Sequence, residues 1–538
     1  MPGLPSARRQ SSALLMSQAL LILGAALRLI EYFGKRPLGI DESFLALNLI
    51  EKSPAQLLHE LDFEQAAPLG FLEVEKLAVD LFGRSEYALR LLPLLASLAS
   101  LVFFYRAGKR LLSMTALPFA CAAFVLFDPA IYYAGTVKQY ELDLAAAVAL
   151  YALASSMLPL PLSRTAFVKL GVAGALVVWF SHASAFVLAA VGITLAAAAI
   201  ARRVWWQLAG LGAVAAVWLI SFGIELRLSR SNLSRIQQAF DSGQVLLGTG
   251  TRGATWFESA TAKVRYLVGL EDTATGFPIL GSLPRTVNQG LTVLLCVVVA
   301  LGFLALAKQR PLSALLLGVL PILVLVAAAF HKYPLVGRTL VFLLPSVALC
   351  LGEGLRVLIR GPRARVLLGS AAAAAVLTAI ALLPAIHVVQ QRANEGIRPV
   401  LEDLGRNAEP GDTLYVGHFA QYGFVYYHLC KCAGFDPAKY WPFRISGASS
   451  GAAAALIPRT RRLVLGAVNL PESNSRPEVR SLTGRRRLWI LVSEVRQDSL
   501  EPFLTALRRE GRELMAFGPY GVRGTAASLY LFDLSGAS

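Results

Sequence analysis

Two adjacent carboxylates follow the first long apolar segment of the chain. Asp41 and Glu42 stand in the sequence Gly-Ile-Asp-Glu-Ser, close to where the chain would leave a membrane. Ionisable groups at a membrane edge usually mark a site, because an unpaired charge in a medium of low dielectric constant loses much of its solvation. A positioned carboxylate can act as a general base. Alternatively, Asp41 or Ser43 could cap the helix that follows.

The composition indicates an integral membrane protein. Of the 538 residues, 56% are hydrophobic and 16% are charged, and the mean hydropathy is +0.57, far more apolar than an average soluble domain. Apolar segments near the length that crosses a bilayer recur up to Val389 and then stop. We predict about eleven transmembrane helices. Their approximate bounds are 12–31, 88–106, 112–131, 139–158, 166–181, 183–201, 204–224, 287–307, 311–330, 337–358 and 364–389.

Basic residues predict the orientation in the membrane. Lys and Arg cluster in every second connection, for example at Arg202-Arg203, whereas the alternate connections include the long loops 32–87 and 225–286. Lys and Arg near span ends are retained in the cytoplasm, so both long loops are predicted to be external. An odd number of spans then sends residues 391–538 to the periplasm or exterior of the plasma (inner) membrane. The net charge of +17 reflects this topology rather than binding of nucleic acid.

The last 150 or so residues have the pattern of a separate domain. Their β-rich segments are Thr413–Val416, Arg462–Leu465, Leu488–Val492 and Ser528–Phe532, and their helical segments include Ile397–Arg406 and Leu500–Arg509. This alternation predicts an α/β domain over 391–538, after a transmembrane domain over 1–390 that carries both long loops. The tail has no phosphate-loop, metalloprotease or nucleophile-elbow motif. Support of the membrane domain or binding of an acceptor is its expected role.

Three other features are assigned no chemistry. The segment from Gly248 to Gly253 fits G-x-G-x-x-G, but no βαβ unit follows it, so a loop is predicted. A bridge between Cys430 and Cys432 is expected to be strained, so we favour neither a disulfide nor a metal site. His182, between two predicted spans, is expected to form an interhelical hydrogen bond rather than to act as a catalyst.

Residues around the acidic pair resemble those of a known family. Residues 65–70 read Gln-Ala-Ala-Pro-Leu-Gly, residues 81–91 read Leu-Phe-Gly-Arg-Ser-Glu-Tyr-Ala-Leu-Arg-Leu, and Arg338 lies in the penultimate external loop. Together with the Asp-Glu pair, they resemble the GT-C superfamily of membrane glycosyltransferases. The branch that contains protein O-mannosyltransferases, lipid A aminoarabinose transferase and lipopolysaccharide core transferases is most similar. The resemblance is strongest over 30–145 and 330–355, and it covers the tail only in position.

The resemblance implies an enzyme that moves a sugar from a polyprenyl-phosphate donor to a cell-envelope glycan, lipid or protein at the outer face. Asp41 matches the family's catalytic aspartate, and Glu42 would be a supporting residue. A hydroxyl is a poor nucleophile at neutral pH, and a carboxylate can take its proton during attack on the anomeric carbon. A single displacement would invert that carbon, with the phosphate as leaving group.

The same resemblance suggests residues that bind the donor phosphate near the ninth span. Arg338 matches a family position, and a guanidinium binds phosphate oxygens through its planar fork. Anchoring at the membrane interface is the alternative for this residue. His331 and Tyr333 lie in the same connection and are candidates for contacts to the phosphate or the sugar.

A second external connection resembles a Glu-x-Arg-x-Tyr pattern of related enzymes. Lys138 takes the Arg position and Tyr140 the Tyr position, whereas Thr136 replaces the Glu. The resemblance implies that Lys138 binds the carrier phosphate and that Tyr140 orients sugar hydroxyls. A pair between Lys138 and Glu141 that stabilises the span end is the alternative. Thr136 argues against a divalent cation in this connection. Asp41 and Glu42 could ligate a cation, so the sequence leaves metal dependence open and assigns no cofactor.

Two other function classes remain open from the sequence. A secondary transporter would place ionisable groups near mid-membrane, often in repeated halves, whereas these charges cluster on the external side and no repeat is visible. A non-catalytic envelope-assembly protein would tolerate replacement of Asp41.

Overall fold

The structure is a computed structural model whose described residues form two compact units. They are residues 6–34, 36–234, 265, 267, 285–335, 337–360, 362–389, 396–445, 456–466, 475–493, 495, 497–520 and 526–536. The first unit comprises Met1–Phe33, Ala67–Leu72 and Arg90–Gln391, and we call it the transmembrane unit. The second unit comprises Gly34–Ala66, Glu73–Leu89 and Arg392–Ser538, and we call it the α/β unit.

The described residues of the transmembrane unit form helices and their connections, with no strand among them. Its α-helices are Ser6–Phe33, Leu91–Leu111, Leu117–Leu126, Asp128–Tyr132, Tyr140–Met157, Arg164–Val177, Ser184–Ala201, Trp206–Leu228, Arg285–Gln309, Pro311–Ala329, Leu344–Leu358 and Arg363–Val389, and its 3-10 helices are Tyr133–Gly135 and Gly337–Leu343. Glycine permits close packing of two of them. A Cβ on Gly302 would lie 1.8 Å from the carbonyl oxygen of Cys350, and one on Gly354 would lie 2.0 Å from that of Val298. Such backbone contact is typical of membrane helices.

Fewer helices have the length and hydropathy of a membrane span than the sequence predicts. In the described residues, eight helices are long and apolar enough to cross a membrane, or nine if Leu117–Leu126 and Asp128–Gly135, bent by 59°, form one span. Two of the eleven predicted spans do not meet this test of length and composition. Tyr140–Met157 has 18 residues but two acids in its first turn. Arg164–Val177 has 14 residues, about 21 Å of helix, too short for a bilayer core.

The α/β unit contains a five-stranded mixed sheet. The strands of the whole unit, in chain order, are β1 (Thr413–Val416), β2 (Phe443–Ile445), β3 (Leu456–Pro458), β4 (Leu463–Leu465), β5 (Leu488–Val492), β6 (Arg512–Tyr520) and β7 (Ala527–Asp533). Strands β2 and β3 pair with each other in a separate two-stranded sheet. The sheet order is β4-β1-β5-β7-β6, with β4, β1 and β5 parallel and the other pairs antiparallel. All four predicted strands are confirmed. Strands β1 and β5 are buried along their whole length, as central strands of a covered sheet should be.

The helices of the α/β unit include two that the sequence predicts. Its helices are Ile40–Glu51, Pro54–Leu57, Glu86–Leu89, Ile397–Asn407, Ala420–Cys430, Ser475–Arg480 and Gln497–Glu510, with a 3-10 helix at Pro437–Lys439. Helix Leu69–Phe82 begins in the transmembrane unit and continues into the α/β unit. The sequence missed helix Ala420–Cys430 and edge strand β6. Strand β6 is largely exposed, so it lacks the apolar run by which the central strands were recognised.

Most of loop 32–87, which the sequence predicts to be external, groups with the C-terminal residues in the α/β unit. The sequence assigned loop 32–87 to the transmembrane domain and predicted a helix after the acidic pair. In the structure, this helix buries Leu45, Leu47 and Leu49 at 1%, 3% and 0% exposure. Its apolar residues therefore build a protein core.

Two sequence interpretations meet different outcomes in the structure. Cys430 and Cys432 form a disulfide with their Cα atoms 5.2 Å apart, within the usual range. The expectation that disfavoured this bridge was wrong, because Lys431 takes a left-handed backbone conformation with φ 55° that reverses the chain. The Gly248–Gly253 motif and most of loop 225–286 lie outside the described residues.

Candidate active site

Asp41 and Glu42 occupy the first turn of helix Ile40–Glu51. The N-cap is Gly39, whose N–H donates to Oε2 of Glu42 at 3.1 Å. Glu42 is 3% exposed, whereas Asp41 is half-buried. The capping role considered for Asp41 or Ser43 therefore belongs to Glu42. The positive end of the helix dipole favours a negative charge at both carboxylates.

A buried asparagine holds this helix to the returning chain. Nδ2 of Asn48 donates to the carbonyl oxygens of Phe44 at 2.9 Å and Asp62 at 3.1 Å, and the N–H of Asp62 donates to Oδ1 of Asn48 at 2.8 Å. Lys52 then donates to the carbonyl of Glu60 at 3.0 Å and lies 3.4 Å from the Asp62 carboxylate. These bonds fix the helix that carries Asp41 at several points.

Aromatic rings from distant parts of the sequence meet on this helix. Phe44, three residues after Asp41, stands 4.5 Å from Tyr422 and 5.7 Å from Phe63 between ring centroids. The hydroxyl of Tyr422 lies 3.4 Å from Nε2 of His418. Residues three apart share a helix face, so this aromatic cluster lies on the Asp41 side of the helix. Sequence reasoning missed Tyr422 and His418, since nothing local links them to Asp41.

In the transmembrane unit, a broken helix leads to Lys138 and Tyr140. Phe127 adopts an extended conformation between the two bent helices, and the 3-10 turn Tyr133–Gly135 follows. Lys138 is 8% exposed, and the ring of Tyr140 packs 5.0 Å from that of Tyr133. The hydroxyl of Thr136, which replaces the acid of the family pattern, donates to the carbonyl of Tyr132 at 2.8 Å.

Glu141 belongs to a buried polar group on the inner side of the helix that Tyr140 begins. Glu141 and Arg28 are both fully buried and interact electrostatically, and Ser97 contacts the Glu141 carboxylate. Nε of Arg28 donates to Oγ of Ser97 at 2.7 Å, and its Nη1 donates to the carbonyl of Gly24 at 3.0 Å. This group brings together residues of helices Ser6–Phe33, Leu91–Leu111 and Tyr140–Met157.

A second polar group joins helix Tyr140–Met157, the connection at Ser181 and His182, and helix Trp206–Leu228. Asp143, 8% exposed, interacts with the Ser181 side chain and with His182. Nε2 of His182 lies 2.7 Å from Oε1 of the fully buried Glu225, which also accepts from Ser229 at 2.9 Å. The prediction that His182 is an interhelical hydrogen bonder is confirmed. Sequence reasoning assigned no role to Asp143 or Glu225, although a carboxylate within a predicted span, such as Asp143, is a signal in itself.

Tyr333 connects this region to the connection that carries Arg338. Its hydroxyl donates to the carbonyl of Thr339 at 2.7 Å, and its ring stands 5.0 Å from that of Phe186. Burial raises the pKa of Tyr333 well above its usual range, and the nearby Asp143 and Tyr140 act in the same direction. The structure therefore brings Tyr140, Asp143 and Tyr333 into one neighbourhood, with Tyr333 as an un-ionised hydroxyl.

The other two candidate residues of this connection, Arg338 and His331, differ in burial. Arg338 is half-buried and lies at the start of 3-10 helix Gly337–Leu343. The adjacent Thr339 folds back and donates from its hydroxyl to the carbonyl of Pro334 at 2.6 Å. His331 is exposed and has a left-handed φ of 57°, so it lies outside the buried neighbourhood.

The predicted site residues are divided between the two units. Asp41 and Glu42 belong to the α/β unit, and Lys138, Tyr140, His331, Tyr333 and Arg338 belong to the transmembrane unit. Among the described residues, no group of three or more His, Cys, Asp or Glu side chains is arranged to hold a metal ion.

Comparison with known proteins gives a likeness of fold. No protein-family model matches the chain, and no curated protein matches its sequence. Among solved structures, ArnT from Cupriavidus metallidurans in the apo state has a TM-score of 0.53 at 14% identity, with 97% of this chain and 98% of that chain covered. ArnT bound to undecaprenyl phosphate has a TM-score of 0.51 at 14% identity, with 95% and 97% covered.

A third solved structure extends the likeness to a different kind of enzyme. The apo oligosaccharyltransferase of Archaeoglobus fulgidus has a TM-score of 0.50 at 12% identity, and the match covers 95% of this chain and 74% of that chain. ArnT and this oligosaccharyltransferase are both GT-C glycosyltransferases. The chain therefore has the GT-C fold that its sequence predicts, a polytopic α-helical membrane part with a C-terminal α/β region.

Proposed function

We propose that this protein is a glycosyltransferase that moves a sugar from a polyprenyl-phosphate donor to a cell-envelope acceptor on the extracytoplasmic face. The likeness of fold to ArnT, whose solved structure holds undecaprenyl phosphate, carries the proposal. That likeness spans 95% of this chain, so it includes both the helices and the C-terminal region. The acceptor is a glycan, a lipid or a protein.

In this proposal, two cations of the transmembrane unit bind the donor phosphate. Lys138 is nearly buried, and a buried ammonium group is stable only beside anions or hydrogen-bond acceptors. Arg338, half-buried at a 3-10 helix start, can contribute a planar fork for phosphate oxygens. Both cations lower the energy of the phosphate as it gains negative charge on leaving the sugar.

Neutral and acidic oxygen atoms of the same unit then bind the sugar. Tyr140 orients sugar hydroxyls. Tyr333 interacts electrostatically with both Tyr140 and Asp143, so the three side chains lie close together. One oxygen of Asp143, Oδ1, has no hydrogen-bond partner among the described residues, and a sugar hydroxyl is a suitable donor to it. The buried polar group of Asp143 and His182 is thus suited to recognise a polyhydroxylated ligand.

Asp41 acts as the general base in the proposed reaction. The acceptor oxygen forms a bond to the anomeric carbon while its proton passes to Asp41. The bond between that carbon and the phosphate oxygen breaks, and the phosphate leaves with the electron pair. A single displacement inverts the anomeric centre. Glu42 supports the reaction by fixing the helix start through its bond to Gly39.

The test compares Asp41→Asn with Glu42→Gln in reconstituted membranes. Radiolabelled sugars on undecaprenyl phosphate serve as donors, and a native envelope fraction serves as acceptor. Loss of a general base should lower the transfer rate by roughly 10²- to 10⁴-fold in Asp41→Asn, with normal membrane insertion. Glu42→Gln removes the neighbouring charge and retains an oxygen that can accept from Gly39, so its loss should be much smaller.

Two outcomes would contradict the proposal at different levels. Transfer by Asp41→Asn at the wild-type rate would refute the base assignment and leave the donor class intact. Failure of the wild-type protein to use any of the polyprenyl-phosphate donors, together with transport of a solute across the reconstituted membrane, would refute the transferase itself.

A further inference from the structure

A basic cavity lies in the transmembrane unit at the opposite end of span Gly337–Leu358 from Arg338. Its volume is about 570 Å³, and three arginines, Arg356, Arg360 and Arg365, line it together with Gln309. The positive-inside pattern predicts that this end is cytoplasmic. The proposed transfer reaction on the external side uses none of these residues.

One of the three arginines is buried and held by hydrogen bonds. Arg356 is 2% exposed, and its Nε donates to Oε1 of Glu353 at 2.7 Å while its Nη2 donates to Oε1 of Gln309 at 3.4 Å. Ser113 also donates to Oε1 of Glu353, at 3.0 Å. Glu353 offsets a single arginine, so the cavity keeps an excess of positive charge from Arg360 and Arg365.

The start of the next helix adds to this positive field. Helix Arg363–Val389 begins at the cavity with two arginines and no acidic residue in its first turn. Basic residues at a helix N-terminus oppose the helix dipole. An anion bound in the cavity would offset both the dipole and the arginine charges, because free N–H groups at helix N-termini bind phosphate.

The remaining wall of the cavity is apolar. Leu358, Leu368 and Ala372 line it, and Leu368 is 74% exposed. A soluble anion gains nothing from such side chains, whereas the acyl chains of a lipid do. Basic pockets between transmembrane helices on the cytoplasmic side are typical sites for phospholipid headgroups.

We propose that this cavity binds the phosphate headgroup of an anionic glycerophospholipid, with the arginines on the phosphate and the apolar wall on the acyl chains. The bound lipid neutralises Arg360 and Arg365 and holds helix Arg363–Val389 against its neighbours. This site is separate from the donor site, so its occupancy does not depend on the transferase proposal.

The experiment is native mass spectrometry of the full-length protein in detergent, titrated with dioleoyl phosphatidylglycerol or dioleoyl phosphatidylcholine. The variant is Arg360→Gln/Arg365→Gln, and both positions are exposed, so folding should be preserved. The matched control, Arg202→Gln/Arg203→Gln, removes the same charge from another exposed connection predicted to be cytoplasmic. Phosphatidylglycerol binding should weaken by roughly 10- to 30-fold in the cavity variant and by much less in the control.

Further measurements separate the sources of the phosphate group. Retention of phosphatidylglycerol in the presence of millimolar inorganic phosphate supports a lipid ligand, and its displacement by inorganic phosphate overturns the proposal in favour of a soluble anion. Equal weakening in both double variants would mean that general surface charge attracts the lipid and would also overturn the site. Equal binding of phosphatidylcholine and phosphatidylglycerol would also overturn the proposal.

Discussion

Replacement of Tyr427 by Phe tests how the segment leading to Asp41 is held in the α/β unit. The Tyr427 hydroxyl accepts a hydrogen bond from the N–H of Leu38 at 3.1 Å and donates to the carboxylate of Glu86. Nη1 of Arg398 binds the other Glu86 oxygen at 2.5 Å. Burial and the Glu86 charge raise the pKa of Tyr427 well above its usual range, so the hydroxyl keeps its proton.

The expected loss follows from these bonds. Phe retains the fully buried ring but removes both bonds, leaving the buried N–H of Leu38 without a partner and Glu86 with Arg398 as its remaining strong donor. A bond to a charged acceptor contributes about 1.5 to 3 kcal/mol, and a neutral one about 1 kcal/mol. The free energy of local opening should therefore fall by roughly 2 to 4 kcal/mol, which raises the open population by about 30- to 1,000-fold.

Hydrogen exchange measured by mass spectrometry reports this opening directly. Peptides covering residues 36–51 should exchange faster in Tyr427→Phe, and the transfer rate should fall because the helix start that carries Asp41 is loosened. Tyr426→Phe is the matched control. Its ring is also fully buried, and its hydroxyl donates to a neutral acceptor, the carbonyl of Arg84, at 3.1 Å, so the loss should be about 0.5 to 1.5 kcal/mol.

The comparison of the two tyrosines decides the outcome. Unchanged exchange in Tyr427→Phe, or an equal increase in both variants, would show that the hydroxyl between Leu38 and Glu86 does not hold this segment. The packing of helix Ile40–Glu51 would then be sufficient alone.

Three shorter predictions address other residues. Arg338→Ala should weaken binding of polyprenyl phosphate by roughly 10- to 100-fold in a binding assay, with partial recovery in Arg338→Lys; unchanged affinity would favour a membrane anchor. His182→Ala removes a partner of the buried Glu225 and should cost about 1 to 3 kcal/mol in thermal unfolding of the purified protein, and a neutral result would contradict the interhelical role. Burial lowers the pKa of His418, so the unfolded chain binds its proton first. The stability of the α/β unit should thus be full above about pH 6.5 and fall as the pH drops toward the folded pKa. A pH titration of unfolding in which His418→Gln keeps the same slope would refute this assignment.

Elements with a continuous apolar pattern were predictable from the sequence. The apolar spans up to Val389 and the buried strands β1 and β5 carry their signal in their own residues, because burial on all sides requires an uninterrupted hydrophobic run. Helix Tyr140–Met157 shows the limit of this signal. Its acids, Glu141 and Asp143, lower its apolar character, and only their partners on other parts of the chain explain their presence.

The site could be predicted only in part, for the same reason. Family-like residues identified Asp41, Lys138 and Arg338 as candidates. The sequence offered no means to see that Glu42 is the residue that caps the helix, since Asp41 and Ser43 are equally suitable by type. That choice depends on the backbone geometry at Gly39.

The sequence alone determined the class of the protein: a polytopic membrane chain with an α/β tail, family-like acidic and basic residues, and a charge pattern that predicts its orientation. Hydrophobic length and periodicity are local properties, so no tertiary information was needed. Only the tertiary structure decided that the first loop joins the C-terminal residues in one unit, through Leu38, Glu86, Tyr427 and Arg398. Leu38 and Glu86 lie more than 300 positions before Tyr427 and Arg398. No local pattern encodes which of many buried polar groups will meet.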